Sequence, residues 1–134
     1  MARLIDTGVF IEWERQARPF TDFPGAVGEP FAMASISASE LLAGVLRAVP
    51  GARRTQRDAF VEAVLARVPV LPFDLAVARV HARLAAELTA TGRSVGSQDL
   101  LIAATAVAHE SDLLTLNLRH FERVPGLVAR LPDW

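Results

Sequence analysis

The sequence predicts an α/β protein: one domain over residues 1–134, built on a twisted, mainly parallel sheet of four to five strands with helices on both faces. Short apolar runs of strand length alternate with longer stretches whose apolar residues recur every three or four positions. Alternating strands and helices are the pattern of a parallel sheet wrapped on both sides. A chain of 134 residues suits one domain with a core large enough to fold alone, and no repeat, low-complexity tract or linker divides it.

In chain order, Arg3–Asp6 reads as a short buried strand running straight into a helix from Thr7 to about Arg18. Pro19–Pro30 carries three prolines and two glycines and is expected to be a loop. Phe31–Ser35 reads as the second strand, after which Ser37 caps a helix through about Val49, broken by Pro50-Gly51. The next helix spans roughly Arg53–Arg67, with Phe60, Val61, Val64, Leu65 and Val68 on one stripe. Val70-Leu71 is a short strand between two prolines. Asp74 then caps a long helix carrying Val77, Val80, Leu84 and Leu88, which Thr91-Gly92 ends. Ser97–His109 is apolar on most faces and marks the central buried helix. Leu113–Leu116 is a strand, and Leu127–Leu131 a further strand at the sheet edge.

Composition excludes several function classes. The chain has no Cys, hence no disulfide framework, thiol nucleophile or cysteine zinc site, which fits a cytoplasmic setting. It has no Lys, hence no phosphate loop of the GxxxxGK[ST] type and no Schiff-base chemistry. All 14 basic residues are Arg, suited to bidentate phosphate contacts, although a codon bias explains the same count. Net charge is −1, so no global basic field marks a nucleic-acid binder and only a local patch is open. No apolar run is long enough to span a bilayer and no signal peptide opens the chain. A 51% hydrophobic fraction and a mean hydropathy of +0.30 leave apolar surface for another chain, and a homodimer is expected.

Three acids share one setting, an apolar run or turn giving way to a helix: Asp6 in LIDTGVF, Glu40 in SISASELLAG and Asp99 in VGSQDLLIA. Each has a local explanation. Ser37-x-x-Glu40 is a capping box, Asp99 would offset a helix macrodipole, and Asp6 would be an N-cap. Asp74, in VLPFDLA, sits in the same setting, and spacing does not exclude it from a site. The functional reading requires convergence at the carboxyl edge of the sheet, where ligands of parallel sheets bind. Packed carboxylates raise one another's pKa unless a cation neutralises them, and helix N-termini help keep them ionised. An oxygen-only set selects Mg²⁺, with Mn²⁺ as a substitute, and such an ion suits phosphodiester hydrolysis.

Four segments in order carry a family resemblance: LIDTGVFIE, SISASELLAGV, the stretch VLPFDLAVARVHARLAAELTATGRSVGSQDLLIAATAVAH, and LLTLNLRHFERVPGL. They resemble the PIN-domain nucleases, specifically the VapC-type toxins of bacterial toxin–antitoxin pairs, nearly end to end. The resemblance implies a PIN-like fold and a Mg²⁺-dependent endoribonuclease acting on RNA, with a VapB-like antitoxin as cognate partner. It assigns Asp6, Glu40 and Asp99 to the metal site, Asp6 and Asp99 as the most direct ligands, and makes Asp74 a structural cap. Thr7 and Thr115 match polar positions that orient a carboxylate or a water. The fourth acidic position falls on Asn117, whose neutral amide argues against a second tightly held metal. Gly8 stands where the family more often has Asn or Ser.

Two other classes compete. A partner-binding module of a DNA-binding toxin–antitoxin-like complex, with weak or no nuclease activity, is favoured by Asn117. A phosphoacceptor signalling domain is disfavoured because no Lys is present. His81, His109 and His120 are isolated and read as structural or surface residues. Arg93 and Arg119 flank the expected cleft and are positioned for phosphates, with a solvated role as the default. Phe10, Trp13 and Leu46 read as core or interface, or as a groove for a partner segment.

Overall fold

The structure is a computed structural model that describes residues 2–24 and 30–133. Five strands, β1 (Arg3–Ile5), β2 (Phe31–Ala34), β3 (Val70–Leu71), β4 (Leu113–Leu114) and β5 (Ala129–Arg130), form one sheet in the order β3-β2-β1-β4-β5. Every pairing is parallel: Leu4 lies opposite Ala32 on one side and Leu113 on the other. The helices are α1 (Thr7–Arg15), α2 (Ser35–Arg47), α3 (Ala52–Arg67), α4 (Leu75–Ala90), α5 (Ser97–Ala108) and the single turn α6 (Leu118–Phe121).

Strand periodicity divides the core into two layers. Successive side chains point to opposite faces, so Leu4, Ala32, Ala34 and Leu113 meet Val77, Leu84 and Leu88 of α4, Ile102 of α5 and Phe121 of α6. Their neighbours Ile5, Phe31, Met33 and Leu114 meet Val9, Phe10 and Trp13 of α1, Leu41 and Val45 of α2, and Val61 and Val64 of α3. Strands buried on both faces read as unbroken apolar runs, which is why LLT and FAMA lack polar alternation. Among the described residues, no helix is long and apolar enough to cross a membrane.

Several boundaries differ from the sequence expectation. Helix α1 stops at Arg15 rather than Arg18, because Ala17 adopts a left-handed backbone at φ 56° that reverses the chain. The expected loop Pro19–Pro30 lies partly outside the described residues. Its described part holds a 3₁₀ turn at Phe20–Asp22, and both Phe20 and Phe23 are buried. The Phe23 ring packs 5.1 Å from Trp13 and 5.4 Å from Phe10, and Trp13 Nε1 donates to the Pro19 carbonyl at 3.1 Å. Proline and glycine mark irregular backbone but say nothing about where its aromatics go. Helix α4 ends as expected, with Gly92 at φ 67° and Arg93 N donating to the Leu88 carbonyl at 2.9 Å.

Candidate functional site

The order of the strands fixes where a site can form. The chain leaves β1 toward β2 and β3 on one side and later crosses to β4 and β5 on the other, so the β1–β4 boundary is the topological switch point. Asp6 follows the last residue of β1, and Thr115 follows the last residue of β4. The Asp6 N–H donates to the Leu114 carbonyl at 2.9 Å, so the ladder extends up to the acid itself.

Asp6 is only 5% exposed and occupies the N-cap position of α1, yet its carboxylate caps nothing. It instead accepts a 2.7 Å hydrogen bond from Thr115 Oγ1, across 109 residues of sequence. Burial pushes its pKa up, the hydroxyl of Thr115 pulls it down, the charge of Asp99 pushes it up again, the Thr7 backbone N–H pulls it down, and the charge of Glu40 adds a last upward push. The start of α1 does help keep Asp6 ionised, as expected, through the Thr7 N–H, but desolvation outweighs the stabilising contacts and the net shift is upward. Both neighbouring acids act on it through space, so Glu40 and Asp99 lie within electrostatic range of Asp6.

Glu40 corrects a second expectation. Helix α2 begins at Ser35 with Ala34 at the N-cap, two residues before the expected cap, so no Ser37–Glu40 capping box forms. Ser37 is fully buried, and Ser37 and Glu40 share a helix face one turn apart. Both reach Thr7: its Oγ1 lies 2.9 Å from Ser37 Oγ and 2.9 Å from Glu40 Oε1. An ionised carboxylate only accepts, so Thr7 gives its one proton to Glu40 and is in turn served by Ser37.

Asp99 lies in the first turn of α5, half-buried, after a Gly96 N-cap that makes no side-chain bond. Its Oδ2 is 3.3 Å from His120 Nδ1, whose side chain is largely exposed. Asn117 is exposed at the start of α6, and its backbone N–H donates to Thr115 Oγ1 at 3.0 Å. Thr115 is thus a relay: it is fixed by the Asn117 amide and fixes Asp6 in turn. Asp74 is different, because its carboxylate accepts from Val77 N at 3.1 Å as a true N-cap of α4.

The acids lie within electrostatic range of Asp6 without closing into one cage. Among the described residues no three His, Cys, Asp or Glu side chains stand together as a ready-made metal site. Each carboxylate is engaged by its own donor: Thr115 for Asp6, Thr7 for Glu40, His120 for Asp99. The donors are nonetheless oxygen-only apart from His120, which is the chemistry of a hard cation.

Sequence reasoning missed two participants. Ser37 was hidden by its resemblance to a cap, although its i, i+3 spacing to Glu40 was visible. His120 was read as isolated because its partner lies 21 residues away. Of the residues expected at a partner groove, Phe10 and Trp13 are core, with the Arg18 guanidinium 3.7 Å over the Trp13 ring, whereas Leu46 is 69% exposed. His81 packs edge-on to Phe73, and His109 is the exposed C-cap of α5.

Fold and site together define an acid-lined α/β domain of nuclease type. Residues 3–127 match the family model described as the PIN domain. Ribonuclease VapC1 of Rickettsia felis is 35% identical over 130 residues, covering 95% of this chain and 93% of that protein. The tRNA(fMet)-specific endonuclease VapC of Salmonella typhimurium is 35% identical over 102 residues, covering 76% and 74%. The solved structure of DNA-bound VapBC from Salmonella typhimurium superposes with a TM-score of 0.84 at 27% identity, covering 97% of this chain and 98% of that one. The chain belongs to the PIN-domain family, in its VapC ribonuclease branch.

Proposed function

We propose that this chain, as a single domain over residues 1–134, is a Mg²⁺-dependent endoribonuclease and the toxin of a toxin–antitoxin pair. The observation that carries the reading is Asp6: a buried carboxylate at the switch point, opposed by its surroundings and by two further carboxylates, yet held in place by Thr115. A buried group kept in a costly state is a mark of function. A divalent cation is what would reverse the cost, and the surrounding oxygens fit one. Asp6 and Asp99 would hold the ion, with Glu40 bound directly or through a water. The ion, when bound, lowers the pKa of a water and offsets charge building on the phosphate.

The remaining work falls to this chain's own groups. Thr115 aims the Asp6 carboxylate, and Thr7 with Ser37 aims Glu40. Asn117 holds Thr115 through its backbone and leaves its side-chain amide for the water shell or the scissile phosphate. Hydrolysis by an attacking water would leave a 5′-phosphate and a 3′-hydroxyl. The partner is a VapB-like antitoxin, supported by the VapBC complexes among the structural relatives. A homodimer in the cytoplasm is the expected form, supported by apolar side chains such as Leu46, Val49 and Leu75 left exposed.

Incubating the purified chain with RNA and Mg²⁺ tests the reading. Wild type is expected to cut, while Asp6→Asn and Asp99→Asn fold normally and do not. Full cleavage by either variant, or undiminished cleavage in excess chelator, would overturn it. Tight antitoxin binding with no cleavage in Mg²⁺ or Mn²⁺ would instead establish a partner-binding module.

A further inference from the structure

Asp6 and the two carboxylates within its electrostatic range repel a polyanion, so a nuclease of this design needs a cationic margin beside them. The net charge of −1 supplies no general attraction. Among the described contacts, the one basic side chain that touches the acid cluster is His120, on α6. That helix also carries Arg119, exposed, and in the turn just after it Arg123 Nη1 donates to the Ser94 carbonyl at 3.0 Å, tying this end of α6 to the turn before α5. Its other end is tied to the site by Asn117 N on Thr115.

On the side of His120, the partner of Asp99, lies an open pocket of about 350 Å³ lined by Leu116, Asn117, Leu118, Arg119, His120 and Leu131. Leu116 and Leu131 are large apolar side chains left exposed. The two halves of this lining are the two things a nucleotide asks for. A guanidinium and an imidazole take phosphate oxygens, and an amide takes ribose hydroxyls or base edges. The leucines give a base or sugar face somewhere to lie.

We infer that this α6 shelf is the subsite for the nucleotide adjoining the scissile bond, with Arg119 and His120 as its positioning residues. The inference rests on the nuclease reading and names the contact through which single-stranded RNA is held against the acids. His120 is braced by Asp99 at Nδ1, and among the described residues its Nε2 makes no hydrogen bond, so that edge faces the strand.

The test is binding of a short, labelled, single-stranded RNA to the full chain in excess chelator, where nothing is cut, read by fluorescence anisotropy. Arg119→Gln combined with His120→Gln is expected to weaken binding about tenfold and to lower the salt slope by about one phosphate contact. Arg79→Gln, on exposed α4 surface, should stay within about twofold of wild type. Leu131→Glu, at an exposed position, should weaken binding without disturbing the fold, which guards against a double variant that misfolds. With Mg²⁺ restored, the double variant should raise KM more than it lowers kcat. Unchanged affinity and salt slope in the double variant and in Leu131→Glu would overturn the shelf while leaving the nuclease reading intact. Wild-type chain that binds RNA through these residues and then cuts nothing would do the reverse.

Discussion

Asp6 and Asp74 stand in the same local setting, an acid between a short strand and a helix, and the fold uses them in opposite ways. Asp74 is exposed and accepts from Val77 N three residues ahead. Asp6 is buried, leaves its own helix uncapped, and is held by Thr115 from the far part of the chain. A cap is satisfied locally and works wherever the helix goes. An acid that makes no N-cap bond to its helix and is buried near other acids has been placed for something else. The distinction lies in the partner, which is why one residue context alone could not supply it.

The largest expected effect separates the two acids by activity. Asp6→Asn should reduce RNA cleavage at least about 100-fold, the scale for removing one charge-stabilising group from a reacting site. Asp74→Asn should leave cleavage as in wild type, and a comparable loss at Asp74 would break the comparison. Thr115→Val removes the hydroxyl between Asp6 and the Asn117 amide. It should cost about 1–3 kcal/mol in chemical denaturation, the range for stranding a buried polar group. Activity should also fall, by roughly 10–100-fold, as when an outer-shell partner of a ligand is lost. Asp74→Ala should cost about 1 kcal/mol through the lost N-cap, with normal kcat/KM.

The smallest effect is a pH dependence of opposite sign to the usual carboxylate. Asp6 has its folded pKa above its unfolded value, so the folded chain binds that proton more tightly and loses stability as pH rises between the two values. In metal-free protein, Asp6→Asn removes this penalty. Its Tm should match wild type in strong acid, exceed it as pH climbs through the raised pKa, and hold a constant lead above. Added Mg²⁺ should narrow that lead by stabilising wild type alone. A lead that shrinks with rising pH would contradict the assignment of burial and neighbouring acids as the cause.

Much of the fold could be read from periodicity. The parallel sheet followed from strands alternating with helices, and α5 was marked as central by apolar residues on most of its faces, five of which are buried. What escaped were matters of partnership across distance. Ser37 and Glu40 spell a capping box, but α2 starts early because Ser35 already follows β2, and both side chains turn to Thr7. Phe20 and Phe23 looked like loop residues because prolines surround them, while the cluster they complete is made with Phe10, Trp13 and Phe31. Asp6, Glu40 and Asp99 were legible as candidates through family resemblance, whereas His120 carried no local signal at all.

The Thr115–Asp6 bond also has a bearing on time. The two partners are 109 residues apart, so the chain must be in place through Thr115 before the acid at the switch point gains its hydroxyl. Strand β4 has no earlier substitute, since it alone docks on the second side of β1. Contacts of such long sequence separation close late, after the loop entropy between them has been overcome. Until then the chain carries Asp6 without the hydroxyl that holds it in the folded state.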